Sequence, residues 1–206
     1  MTEARRAHWD QVYQSKAVTN VSWYEAHPET SLGLVRATGI SFDDPIIDVG
    51  GGASLLVDEL LAAGYRDVTV LDVSAEVLEK VRAHLQASAV APKLICADVT
   101  AFQPERRYAL WHDRAVFHFL VDPEDRARYV DVLRSALRLD GHVIIATFGP
   151  SGPQQCSGLP TMRYDAPALA GELGADFRLV HFELATHRTP WNAPQEFLHC
   201  WFERQS

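Results

Sequence analysis

The sequence predicts a doubly wound α/β fold on a seven-stranded sheet, mostly parallel, with an antiparallel β-hairpin at its C-terminal end. Three observations carry that expectation. Short apolar runs alternate with helical periods from Pro45 to Phe148, the pattern of chained β–α units. The runs are unbroken rather than alternating with polar residues, which suits strands covered on both faces. The last two extended runs are joined only by HRTPWNAPQ, too short for a parallel crossover, so they pair antiparallel.

The elements follow in chain order. An amphipathic helix is expected from Glu3 to Lys16, then an irregular aromatic stretch, TNVSWYEAHP, then a second helix opened by Pro28 and ending about Thr38. Strand Ile46–Val49 leads to a helix over Leu55–Ala63 that Gly64 stops. Strand Val68–Leu71 leads to a helix over Ala75–Leu85, with Ser74 as its N-cap. Strands Lys93–Cys96 and Tyr108–Trp111 come next, then a helix over Glu124–Leu137 ending before a turn at Asp140-Gly141, then strand His142–Phe148. A helix over Ala166–Leu173 precedes the hairpin strands Arg178–Thr186 and Glu196–Glu203. All of this reads as one domain over 1–206, with 1–40 as a helical cap and 149–165 as a loop.

Composition bounds the function. The chain has 206 residues and a net charge of −8, which argues against general nucleic-acid binding through a basic surface. Cys96, Cys156 and Cys200 are scattered and odd in number, so they support neither a disulfide framework nor a zinc site, and no metal is expected. No run approaches a membrane span and the N-terminus has no signal-type core. The expectation is a cytoplasmic protein, a monomer or weak homodimer, with no membrane partner.

The chemistry is organised around PIIDVGGGAS, Pro45 to Ser54. A strand running into three glycines and then a helix makes a nucleotide-type pocket, because glycines let the backbone turn tightly and approach a ligand. A dinucleotide motif would place a third glycine where Leu55 stands, and Asp48 disfavours a pyrophosphate. The next strand ends in Asp72, placed to accept from ribose hydroxyls, and the third is followed by Asp98. Two carboxylates and a glycine loop suit a ligand with a ribose, a purine and a positively charged amino-acid end.

PIIDVGGGAS, VTVLDVSAEVLEKV and ICADVT together resemble motifs I, II and III of the class I S-adenosylmethionine-dependent methyltransferases. The terminal hairpin is similar to that family's Rossmann-like sheet. The N-terminal half, with HWDQVY and GYRDVTVLD, is similar to the branch of protein-lysine methyltransferases acting on elongation factor 1A and citrate synthase. The segment after the fourth strand departs from that branch and is closer to thiopurine and tellurite enzymes. The resemblance implies that S-adenosyl-L-methionine is bound and S-adenosyl-L-homocysteine released. It implies that Gly50, Gly51, Gly52, Ser54 and Leu55 hold the methionine end, with Asp48 facing the amino group directly or through water. Asp72 and Val73 then bind the ribose, Asp98 and Val99 frame the adenine, and Tyr13, Trp23, His112 and Asp113 complete the cofactor side.

Methyl transfer from a sulfonium is an in-line displacement, so alignment supplies most of the acceleration and a base is needed only if the nucleophile must lose a proton. His112, Arg114 and His118 are the candidate catalytic residues, with His118 as base and Arg114 as anion clamp. A histidine packed between Phe117 and Phe119, and an Asp113–Arg114 ion pair, are the plain structural alternatives. Trp23, Phe117, His118, Cys156, Arg163 and Tyr164 are the acceptor-side candidates. The expected activity is methyl transfer to a small-molecule nucleophile, with a thiol or other soft acceptor as one class; the alternative is a protein-lysine N-methyltransferase.

Overall fold

The computed structural model describes residues 2–87 and 90–205. Helices α1 (Thr2–Ser15) and α2 (Glu29–Ala37) precede strand β1 (Ile46–Val49). The alternation continues through α3 (Leu56–Ala62), β2 (Val68–Asp72), α4 (Ala75–His84), β3 (Lys93–Cys96) and β4 (Tyr108–Arg114). Then come α5 (Pro123–Ala136), β5 (Leu137–Phe148), the two-residue strands β6 (Gln155–Cys156) and β7 (Leu159–Pro160), α6 (Ala166–Leu173), β8 (Phe177–Arg188) and β9 (Pro194–Arg204).

Seven strands form one sheet in the order β3-β2-β1-β4-β5-β9-β8. β1, β2, β3, β4 and β5 pair in parallel, and β9 runs antiparallel to both β5 and β8. The doubly wound sheet with one reversed strand is therefore present. Its unbroken apolar runs have a direct cause. Neighbouring residues in each strand enter opposite cores: Ile46, Val70, Leu110 and Ile144 pack under α2, α3 and α4, whereas Ile47, Leu71, Trp111 and Ile145 pack with α5 and α6. With both faces buried, alternation would place polar groups in a core.

Local signals set the element ends. Ser74 Oγ accepts from Val77 N–H at 3.3 Å, Asp122 accepts from Glu124 N–H at 2.9 Å, and Asp165 accepts from Ala168 N–H at 2.8 Å, capping α4, α5 and α6. Two expectations change. Asp140-Gly141 is not a free turn: β5 begins at Leu137, and the turn signal appears as a positive φ at Asp140 with a register shift against Tyr108 and Leu110. The extra residues are absorbed as a bulge. The 149–165 segment also contains a small hairpin, in which Ser157 and Gly158 both take positive φ between β6 and β7, the geometry a two-residue turn needs. Among the described residues no helix is long and apolar enough to cross a membrane.

Candidate cofactor and acceptor site

The C-terminal ends of β1 to β4 open on one edge of the sheet, where ligands of such sheets bind. The chain leaves β1 through Gly50 at φ 68 and enters a short 3₁₀ turn over Gly51–Ala53. No other residue fits. A Cβ on Gly50 would stand 2.1 Å from Val116 Cγ2, one on Gly51 2.2 Å from Asp48 Oδ2, and one on Gly52 2.3 Å from Val77 Cγ1 and 2.8 Å from Asp72 Oδ2. The loop is a cradle packed tightly onto Asp48, Asp72, Val77 and Val116, which only glycine allows.

The carboxylates beside it are pinned by their own strand ends. Asp72 Oδ1 accepts from Ser74 N–H at 2.9 Å and Oδ2 from Gly52 N–H at 3.2 Å. Burial pushes its pKa up to about 6, against the pull of those amides. Asp98 accepts from Thr100 N–H at 2.9 Å and Thr100 Oγ1 at 2.8 Å, and Arg5 on α1 pairs with it at 3.1 Å. Against the desolvation of burial, Thr100 and the Arg5 charge hold Asp98 below the usual carboxylate range. α1 is tied over this edge by Arg5 to Asp98 and Asp125, by Asp10 accepting from Ser74 Oγ at 2.6 Å, and by Lys80 to the Tyr13 carbonyl.

A cavity continues from Gly50, Asp72, Val73, Asp98 and Val99 into an aromatic chamber walled by Trp9, Tyr13, Trp23, Phe119, Phe148 and Phe197. His118, Arg114, Cys156 and Gln195 complete that chamber. His118 is fully buried and stacked on Phe148 with ring centroids 4.4 Å apart. Its Nδ1 accepts from Phe148 N–H at 3.2 Å. Burial, aided by the nearby Arg114 charge, pulls its pKa down to about 3. The Arg114 guanidinium lies 4.9 Å over the Phe197 ring, donates to the Trp23 carbonyl at 2.8 Å and pairs with Glu25 at 2.8 Å. Glu25 also faces His187 Nδ1 at 3.2 Å, and His187 Nε2 donates to the Ser22 carbonyl at 2.7 Å. Ser22, Trp23 and Glu25 are thereby gripped from β4 and β8.

Residues 46–141 match the family described as "Methyltransferase domain". Those residues form a methyltransferase domain. A search of curated proteins returns no match. Among solved structures, one described as "Conversion of a Disulfide Bond into a Thioacetal Group during Echinomycin Biosynthesis" superposes with TM-score 0.80 at 17% identity, covering 97% of this chain and 91% of that one. The Burkholderia thailandensis 1,6-didemethyltoxoflavin-N1-methyltransferase, with bound 1,6-didemethyltoxoflavin and S-adenosylhomocysteine, gives 0.69 at 19% identity over 99% and 85%. The N-methyltransferase NodS from Bradyrhizobium japonicum, in complex with S-adenosyl-l-homocysteine, gives 0.69 at 16% identity over 96% and 100%. These similarities describe a shared fold.

The fold brings ten of the expected site residues onto one cavity wall: Tyr13, Trp23, Gly50, Asp72, Val73, Asp98, Val99, Arg114, His118 and Cys156. Ten others lie behind or away from it. Asp48, Gly51 and Gly52 form the underside of the loop, and Ser54 and Leu55 lead into α3, where Ser54 Oγ accepts from Leu56 N–H at 3.0 Å. His112 is not placed to touch a ligand: its two ring nitrogens are 2.7 Å from Asp48 Oδ1 and 2.9 Å from Ser31 Oγ, all in the interior. Asp113 points to the opposite face, where it accepts from Tyr129 Oη at 2.6 Å and Val116 N–H at 2.9 Å. No Asp113–Arg114 ion pair forms, because successive strand residues face apart. Phe117 packs against Tyr129 and Tyr164. Arg163 donates to the Pro150 carbonyl at 3.0 Å, and with Tyr164 it borders a separate surface depression.

The reading of His118 as a base also changes. The Nδ1 lone pair is already taken by Phe148 N–H, so in the neutral ring Nε2 carries the proton. The expected anion clamp, Arg114, is committed to Glu25 and Trp23. Sequence reasoning missed Arg5, Phe119, Phe148, Gln195 and Phe197 as wall residues.

Proposed function

We propose that this methyltransferase moves a methyl group from S-adenosyl-L-methionine to a small, largely apolar molecule bearing a soft lone pair, such as a sulfur or a ring nitrogen. The observation that carries the reading is the aromatic chamber, continuous with the glycine cradle and walled by Trp9, Trp23, Phe119, Phe148 and Phe197. One neighbouring structure is described for conversion of a disulfide bond into a thioacetal group and another for N1-methylation of 1,6-didemethyltoxoflavin, a sulfur and a nitrogen chemistry, which supports it. The residues present fit the cofactor: Gly50 offers bare backbone at the cavity wall, and Asp72 and Asp98 beside it offer acceptors for hydroxyl and amino groups.

When bound, the cofactor supplies an electrophilic methyl group on a sulfonium sulfur. Asp72 takes the ribose hydroxyls, while Asp98 and Val99 frame the adenine. Asp48 braces the loop from beneath, and its Oδ2 is the one carboxylate oxygen there with no partner among the described residues. The aromatic faces exclude water and favour the sulfonium charge. No side chain on the acceptor wall is poised to take a proton: His118 is a donor, Arg114 is paired, and burial, with Asp72 nearby, holds the Tyr13 phenol well above its usual range. The nucleophile brings its own lone pair, and the chain supplies alignment.

A methyl-transfer screen with labelled S-adenosylmethionine, against thioethers, thiols, aromatic nitrogen heterocycles and a cell lysate, tests this. Label in a small heterocycle or sulfur compound is the expected result. Label confined to a lysate protein band would overturn the acceptor class.

A further inference from the structure

Apart from Arg114 Nη2, which is ion-paired with Glu25 at 2.8 Å, three buried side-chain atoms of acceptor-wall residues have no hydrogen-bond partner among the described residues: His118 Nε2, Arg114 Nε and Gln195 Oε1. Two are donors and one is an acceptor. Leaving such groups unpaired in a closed site is costly, and native proteins do so mainly where something else pairs with them. All three line one cavity whose remaining acceptor-side wall is mostly aromatic.

The charge balance narrows what fits. Arg114 is neutralised by Glu25 at 2.8 Å. Against the desolvation of burial, His187 and Arg114 hold the Glu25 carboxyl below its usual range, so the pair stays ionised. An anion therefore finds no free counter-charge here, and a cation would meet two N–H donors. What remains is a neutral group offering one acceptor and one donor on the same edge, flat enough to lie among Trp23, Phe119 and Phe197.

We propose that this wall is a subsite for the edge of a neutral planar amide or lactam: its carbonyl oxygen accepts from His118 Nε2–H and Arg114 Nε–H, and its N–H donates to Gln195 Oε1. The proposal rests on the methyltransferase reading and names the recognition element of its acceptor. His118 is then a positioning residue. Its Nδ1 bond to Phe148 N–H fixes the tautomer that presents a donor, and burial beside Arg114 keeps the ring neutral.

Calorimetry on protein saturated with S-adenosylhomocysteine, using three bicyclic probes, tests the subsite. Isocarbostyril offers both carbonyl and N–H, its N-methyl derivative the carbonyl alone, and isoquinoline neither. The expected order is isocarbostyril tightest, with each lost group weakening binding about ten-fold or more. Gln195→Leu should erase the gap between the first two probes, and His118→Phe should shrink the gap to isoquinoline. S-adenosylhomocysteine affinity should stay within about two-fold in both variants. Equal affinity for all three probes in the unaltered protein overturns the subsite even if a variant fails to fold, as do gaps that survive both substitutions. Failure of S-adenosylhomocysteine itself to bind would sink the methyltransferase reading on which the subsite stands.

Discussion

The two halves of the cavity are built on opposite plans. On the cofactor side, each wall carboxylate is satisfied by backbone groups: Asp72 by Ser74 two residues on and by Gly52 of the neighbouring strand's loop, Asp98 by Thr100 two residues on. On the acceptor side, the polar groups come from β4, from the turn after it and from β9, and three of their atoms are left unpaired. The first half is a rigid cradle set by local turn chemistry. The second is a chamber assembled at long range, whose polar groups await a partner. Substitutions in the cradle should therefore abolish cofactor binding, whereas those in the chamber should alter acceptor choice and leave the cofactor in place.

The largest expected effect is at the cradle itself. Gly50→Val forces a branched residue to φ 68 and into Val116, and should weaken S-adenosylhomocysteine binding more than about 100-fold while lowering the melting temperature. Retained micromolar binding would remove the reason for three glycines. Asp113→Ala separates structure from site. It strips the partner from Tyr129 Oη and from two backbone amides, and should cost about 2–4 kcal/mol of stability in a denaturant titration. Cofactor affinity of the fraction that remains folded should hardly change. A stable variant with lost affinity would instead return Asp113 to the site.

Asp72→Asn should weaken binding about 10- to 100-fold, as hydrogen bonds to a charged acceptor are replaced by neutral ones. The same carboxylate gives a pH dependence. Burial raises its pKa in the folded chain to about 6, from an ordinary 3.8, so its ionised form opposes folding in full above about 6, and that penalty disappears as pH falls below about 4. Ribose hydroxyls favour the ionised form. Affinity should thus be highest above pH 6 and fall as pH drops through it, by up to about ten-fold per unit. A flat binding profile between pH 5 and pH 8 (roughly the range bracketing that pKa) would argue against Asp72 as the ribose acceptor. The smallest effect belongs to the roof. Arg5→Ala releases a partly exposed ion pair to Asp98 and should change affinity by no more than about 1 kcal/mol, seen chiefly as faster dissociation in stopped-flow measurements.

The contrast between the halves also explains what could be read from sequence. Asp72, Asp98 and the glycine run were legible because each lies at the end of an apolar strand, and each carboxylate has a backbone partner two residues on. The reversed strand was legible from the short link between β8 and β9. The chamber was not. His118 meets Phe148 across 30 positions, and Gln195 and Phe197 reach the wall only because β9 inserts between β5 and β8. His112 and Asp113 looked alike as polar residues at a strand end. The alternation of β4 sends one to Asp48 and the other to Tyr129, and neither to the cavity. Arg114 drew attention for its charge, yet the structure uses that charge to hold the segment carrying Trp23.

Isothermal titration of the unaltered protein with S-adenosylhomocysteine at pH 8 (roughly two units above the Asp72 pKa) tests the central claim most directly. One site per chain with micromolar affinity, lost in Gly50→Val and weakened in Asp72→Asn, is the expected result. No binding up to about millimolar ligand, or binding indifferent to both substitutions, would contradict it.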